Sequence, residues 1–379
     1  MVDIREVRTK SDRKRFFRFP AELYRDNGYF VPALIADETD TFNPKRNPAY
    51  EYADAWLWLA ERNGRTVGRI GAILNRAAND KENVRQLRFT RFDFVDDREV
   101  SQALFDTVIA KARALGMNEI IGPLGFSNLD HQGMLIDGFD QPDMYITLYN
   151  HPYYMAHMER MGLSRKWDWI ERKIFIGKEV PESVARMAVI CQERYGYRIR
   201  RFRSMREVRP FIRPAMQIIN ASFAKLHGTV PLSDRQLDKF SRLVMLTGFP
   251  EYCLIVTDSA DEVAAFGFMA PSISDAIRLG HGRMGLLTLL RVIENLRDHT
   301  HIDMYMIAVR PQDQRKGIES LILSEGMKAA AGHGCADLQT GPMLEDNIKV
   351  QNIWKRWDNV IHRRRRCWTF KIPQTGNAQ

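Results

Sequence analysis

The stretch Val309-Arg310-Pro311-Gln312-Asp313-Gln314-Arg315-Lys316-Gly317-Ile318 packs three cations, two amides and a glycine into ten residues. It follows an apolar run, 303–309, that reads as a central strand. It opens a helical pattern in which Ile318, Leu321, Ile322 and Ala329 share one face. At such a turn the first backbone N–H groups of the helix have no intrahelical partner, and the positive end of the helix adds to them. That arrangement holds anions and suits a pyrophosphate. Arg310, Arg315 and Lys316 bring charge beside it, and Gly317 lets the chain approach closely without a Cβ. Val309, Arg310, Gln314, Arg315, Lys316, Gly317 and Ile318 are therefore the candidate cofactor-binding residues.

Other stretches carry chemistry of a less defined kind. Residues 122–150 read as a long loop with Asn128, Asp130, His131, Asp137, Asp140, Asp143 and Tyr145. Acids in a loop can receive a cationic amine, and His131 beside Asp130 is a candidate base. The run His362 to Arg366 reads as a solvated turn before the last strand, or as a contact for lipid headgroups or RNA. No aromatic interleaving accompanies it, so nucleic acid is not the expected partner. Cys191, Cys253, Cys335 and Cys367 lie far apart with no CxxC, so neither a metal site nor a disulfide framework is expected.

The elements that must position these groups appear in one order, twice. Strands at 55–60 and 66–74 flank the turn signal Asn63-Gly64. A strand at 89–94 leads to Asp97, which caps a helix with Val100, Leu104, Phe105, Val108, Ile109 and Ala112 on its apolar face, ended by Gly116. A strand at 118–121, a helix at 153–161 and a strand at 167–176 follow. A connector at 177–197, with Pro181 and a short helical pattern, leads to the second pass. There a strand at 198–202, a helix at 206–224 and a hairpin of 252–257 with 263–269 precede the strand at 303–309. A strand at 335–340, a helix at 346–357 and a strand at 367–372 complete it. The turn of the first pass, Val95-Asp96-Asp97-Arg98-Glu99, is acidic and lacks glycine, so it would repel a pyrophosphate. Only the second copy is equipped for phosphate. The expected class is α/β, with mixed α+β sheets in two similar domains, 1–177 and 178–379.

Composition agrees. At roughly 150 residues per domain, 379 residues give two domains. Lys and Arg number 56 against 47 Asp and Glu, a formal charge of +9 that suits an anionic partner. The charged stretch 1–15 has no apolar core of a signal peptide, and no apolar run approaches the ~20 residues a membrane span needs. A cytoplasmic protein is expected, with the inner face of the membrane within reach. Residues 271–298 supply a reason: Leu286, Leu287, Leu289, Leu290 and Ile293 alternate with Arg283, Arg291 and Arg297. That composition suits a lid over an acyl chain or peripheral contact with an anionic membrane.

The turn Gln314-Arg315-Lys316-Gly317-Ile318-Glu319 resembles the acyl-CoA signature of the GNAT (GCN5-related N-acetyltransferase) superfamily, with Glu319 where the signature has a small residue. Further motifs, Phe19-Pro20, Leu23-Tyr24, Phe30-Val31-Pro32, Asn47-Pro48, Val67-Gly68-Arg69-Ile70 and Gly122-Pro123, resemble tandem-GNAT bacterial acyltransferases that include bacterial ceramide synthase-like proteins. The resemblance implies two GNAT-like domains, the first degenerate. It implies acyl-CoA as co-substrate, no permanently bound cofactor, and N-acyl transfer to a primary amine of long-chain or sphingoid type. Asn347 matches the asparagine that opens the next helix in the superfamily. No Tyr stands between Asn347 and Lys371, where the family has its proton donor. An ammonium must lose a proton before it attacks a thioester, and Glu345 and Asp337 are the candidate bases. A backbone N–H near Ala308 or Val309 would stabilise the oxyanion. A non-catalytic acyl-CoA, membrane or RNA adaptor is the alternative, as is tRNA-dependent aminoacyl transfer, which also uses tandem domains.

Overall fold

The computed structural model describes residues 1–223 and 228–373. Ala224, expected to end a helix, lies outside them. The chain forms two compact units. The first comprises Met1–Trp169, Ser274–Leu289 and the chain from Arg363 onward; the second comprises Ile170–Ile273 and Leu290–His362. The sequence suggests one division, at 177/178. The units instead interleave, because the last strand and the 274–289 segment belong to the first.

The first unit runs through β1 (Asp3–Glu6), α1 (Lys10–Leu23), α2 (Ile35–Thr41), β2 (Ala53–Arg62), β3 (Arg65–Asn75), α3 (Arg76–Glu82), β4 (Gln86–Phe94), α4 (Arg98–Ala114), β5 (Glu119–Gly122), β6 (Met134–Asp137), α5 (Tyr154–Arg160) and the start of β7 (Ser164–Phe175). The second continues with α6 (Glu182–Glu193), β8 (Arg198–Arg200), α7 (Met205–Phe223), α8 (Asp234–Thr247), β9 (Cys253–Thr257), β10 (Val263–Pro271), α9 (Ser274–Leu279), α10 (Leu286–Asn295), β11 (His301–Val309), α11 (Ile318–Gly332), β12 (Asp337–Thr340), β13 (Met343–Leu344) and α12 (Ile348–Trp354), although α9 and the start of α10 fall in the first unit. β14 (Asn359–Lys371) closes the chain.

Strand order in the first unit is β1-β2-β3-β4-β5-β14, with β6 also on β14; in the second it is β7-β12-β11-β10-β9-β8. The β2–β3 hairpin turns on Asn63 (φ 51°) and Gly64 (φ 73°), both left-handed as its two-residue turn requires. Asp97 caps α4, whose Val100, Leu104, Phe105, Val108 and Ala112 are buried in one core with Ile70, Phe89 and Ile120. In the second unit Ile318, Leu321 and Ile322 of α11 share a core with Val184, Ala188 and Cys191 of α6. The segment expected to be a connector is thus a core helix.

One feature recurs in both units. β4 pairs parallel with β5 from Gln86 to Arg88, and then continues to Phe94 alongside β3. β11 pairs parallel with β12 from His301 to Met304, and then continues to Val309. Each central strand therefore has a half whose edge its parallel partner has left. Each is followed by a turn and a long helix.

Two expectations need correction. The 122–150 stretch is not all loop, since β6 lies within it. The run His362 to Arg366 is neither a solvated turn nor an exposed patch for lipid or RNA, because it lies inside β14. Arg363 and Arg365 are 0% exposed. Arg365 pairs with Asp143 and donates to the Leu148 carbonyl, Arg363 donates to the Pro142 carbonyl, and Arg366 grips Asp168 through two bonds of 2.8 and 3.0 Å. Arginines are buried only when paired. Partners at 142, 143, 148 and 168 are invisible to a local reading.

Candidate active site

The turn after β11 is built on Asp313. Its carboxylate accepts from Tyr197 Oη (2.6 Å), Lys316 Nζ (3.0 Å) and Arg310 Nε (2.5 Å). Burial works to raise its pKa, but these bonds outweigh it and hold Asp313 below the usual carboxylate range. Arg310 also pairs with Asp258 (2.6 Å) and Glu262 (3.1 Å). Arg310 and Lys316 thus brace the turn from within. Arg315 is exposed and left-handed (φ 67°). Gly317 is left-handed as well (φ 77°), and a Cβ there would stand 2.5 Å from Met187 Cγ of α6. Close approach by α6, in addition to backbone freedom, explains the glycine. Ile318 is buried in the core and anchors the helix start. Gln314 donates to the Val309 carbonyl at 3.3 Å.

Gly317 is the N-cap of α11, and no side chain caps that helix. Ser320 N–H turns back to the Gly317 carbonyl (2.9 Å), so the outward donors are the N–H groups of Ile318 and Glu319. The edge of β11 adds another donor. Arg310 N–H bonds the Ala264 carbonyl (2.8 Å), so the antiparallel alternation turns the N–H groups of Ile307 and Val309 to the opposite edge, where β12 has ended. Ala308 faces β10 and drops out as the oxyanion donor. Ser222 Oγ supports the strand by donating to the Val309 carbonyl (2.7 Å).

The first unit has the same backbone plan, but Phe94 N–H and the N–H groups of Glu99 and Val100 are taken. Val95 N–H bonds the Val67 carbonyl (3.1 Å), which turns Phe94 N–H to the open edge. Tyr154 Oη accepts that N–H at 2.9 Å, and Tyr153 Oη donates to the Phe94 carbonyl at 2.5 Å. Tyr154 Oη meets Tyr24 Oη at 2.9 Å, and Tyr24 donates to Asp93. Burial, with Asp93 nearby, pushes the Tyr24 and Tyr154 phenols well above their ordinary range, so both stay protonated. Asp97 accepts from Glu99 and Val100 N–H and pairs with Arg62, while Asp96 meets His157 at 2.9 Å. Carboxylates and tyrosines occupy what a pyrophosphate and its carrier arm would use.

The structure does not bring the three candidate bases together. Asp337 opens β12 and pairs with His301 Nδ1 at 3.0 Å, opposite the start of β11. The anion turn lies beyond the far end of that strand, about 26 Å away at roughly 3.3 Å per residue. His131 belongs to the first unit, 3.5 Å from Glu38, whose carboxylate is gripped by Arg91. Asp130 pairs with Arg91 (2.7 Å) and Asp143 with Arg365, so two of the four acids expected to receive an amine already hold arginines, while Asp137 and Asp140 are exposed. Glu345 is half-buried between β13 and α12, five residues past the end of β12. Asn347 caps α12 through Val350 N–H at 3.4 Å.

Comparison with known proteins follows from this double plan. The chain superposes over 98% of its length on 99% of a tandem GNAT protein from the clavulanic acid biosynthesis pathway, with a TM-score of 0.59 at 12% identity. It has the tandem GNAT fold. A GCN5-related N-acetyltransferase from Sphaerobacter thermophilus gives a TM-score of 0.51 at 12% identity, over 98% of this chain and 96% of that one. In sequence, the chain is 27% identical to Protein YghO of Escherichia coli (strain K12), over 97% of its own length and 95% of that protein's. It is 26% identical to the bacterial ceramide synthase of Caulobacter vibrioides (strain NA1000 / CB15N), over 72% and 70%. No family model matches the chain.

Several parts of this candidate site have no local mark in the sequence. Tyr197, Asp258 and Ser222 come from distant strands and helices, and Tyr153 and Tyr154 block the first unit from α5. None has a local signal. The apolar segment at 271–298 does form helices, α9 and α10. Its leucines face outward: Leu286 is 74% and Leu287 71% exposed, with Leu289, Leu290 and Ile293 also exposed. Arg283, Arg291 and Arg297 are exposed among them. Among the described residues no helix is long and apolar enough to cross a membrane.

Proposed function

We propose that the protein is an N-acyltransferase that moves an acyl group from acyl-CoA to a primary amine of long-chain or sphingoid type. One observation carries this: of two matching strand–turn–helix units, one is capped by its own side chains, and the other presents an uncapped helix start beside an open strand edge. The uncapped turn takes the pyrophosphate of acyl-CoA, a co-substrate rather than a resident cofactor. The substrate ammonium gives one proton to a base, for which Glu345 is the candidate. Its neutral nitrogen attacks the thioester carbonyl, whose oxygen is held by Val309 or Ile307 N–H. The C–N bond forms, the C–S bond breaks, and the nitrogen's second proton goes to the departing CoA thiolate. The likeness to a bacterial ceramide synthase supports a lipidic amine. The exposed leucines and arginines of 283–297 support peripheral contact with an anionic membrane, at the cytoplasmic face. Nucleic acid has no place in this reading.

Thiol release from palmitoyl-CoA and acetyl-CoA, measured with and without sphinganine, tests it. Amine-dependent release that falls with Glu345→Gln is expected. Binding without release for any amine would leave an adaptor, consistent with the missing tyrosine after Asn347. Consumption of aminoacyl-tRNA in its place would make the donor a charged tRNA.

A further inference from the structure

Three side chains that can bind metal converge in the second unit, at the other end of β11 from the anion turn. Glu251 sits in the single 3-10 turn Pro250–Tyr252 that leads into β9. His299 stands just before β11, and His333 is the C-cap of α11. One ligand atom from each lies within 4.8 Å of the others. The His299 and His333 rings stack with centroids 4.1 Å apart and planes 23° apart, and His333 Nε2 is 3.8 Å from Glu251 Oε1.

The surroundings favour a cation. Tyr252 Oη lies 2.7 Å from His299 Nδ1, which fixes the ring and leaves Nε2 as its ligand atom. The carbonyl end of α11, the negative end of its dipole, terminates at His333. His333 is exposed and Glu251 half-buried, so an ion in solvent reaches the cluster.

We propose that Glu251, His299 and His333 bind one divalent transition-metal ion of the zinc class through two imidazole nitrogens and a carboxylate oxygen. This donor set suits zinc, cobalt, nickel or copper over magnesium or calcium. The site lies far from the acyl-transfer turn, and the ion ties the end of α11 to the entries of β9 and β11. The ligands are too far apart in sequence to show a spacing, which is why no metal site is expected from the chain alone.

The test uses untagged full-length protein, stripped with EDTA and dialysed. Zinc is titrated by calorimetry and cobalt by visible absorption. One ion per chain is expected, with a cobalt d–d spectrum and a zinc-dependent rise in melting temperature. His333→Ala, at an exposed position, should keep the fold and abolish the temperature rise. His299→Ala and Glu251→Ala should each weaken binding at least tenfold, and Tyr252→Phe by about tenfold. No saturable binding to the native chain, or binding unchanged by His333→Ala, would overturn the assignment and leave a stacked aromatic cluster with Tyr252.

Discussion

Gly317 and Arg315 separate the backbone contribution to the anion turn from the charge contribution. Gly317→Ala forces a side chain into the left-handed region and against Met187. It should cost about 1–3 kcal/mol in urea unfolding and weaken CoA binding together. Arg315→Glu changes an exposed side chain, so stability should move by less than about 0.5 kcal/mol. CoA affinity should nevertheless fall, and more steeply at low salt, where charge counts most. An affinity loss confined to Gly317→Ala would show that Arg315 does not face the ligand. In the first unit, Tyr154→Phe leaves the buried Phe94 N–H without its acceptor. A loss of about 1–3 kcal/mol is expected there, with no change in CoA binding.

At the scale of elements, Glu119 is one tie of β14 in the first unit, beside its pairing with β5 and β6. Burial alone would raise that carboxyl, but hydrogen bonds from Lys166 (2.8 Å), Thr369 (2.6 Å) and Gln86 (2.7 Å) bring it down to about 2. A lowered folded-state pKa stabilises fully above the unfolded value near 4.5, and the contribution is lost as pH falls from there toward 2. Glu119→Gln should therefore flatten the acid limb of stability between those limits, as melting temperature against pH will show. An unchanged limb would remove Glu119 as a tie.

The elements also show what a sequence can display. The Asn63-Gly64 hairpin, the Asp97 cap, the α4 face and the β11–α11 turn are legible because each signal lies within a few residues of what it specifies. The opening region is less so. α1 carries a Thr9–Asp12 capping box but also Pro20 inside it, and β1 has only four residues. The arginines of β14 look like a surface patch because their partners arrive from 142–168. At the site the loop was readable, whereas the direction of Arg310 and Lys316, inward to Asp258 and Asp313, was not.

At the scale of the molecule, one unit presents an uncapped helix start and the other is closed by its own side chains. Sealing is distributed over Asp97, Tyr153 and Tyr154, so no single substitution should open the first unit. Asp97→Asn, which keeps a capping oxygen, should leave acyl-CoA binding unchanged. The most direct measurement is calorimetric titration of the full chain with palmitoyl-CoA, alongside Asp97→Asn, Arg315→Glu and Gly317→Asp. The account predicts one molecule per chain, unchanged by the first substitution, weakened by the second and abolished by the third. Two molecules per chain, no binding at all, or binding that survives Gly317→Asp would contradict it.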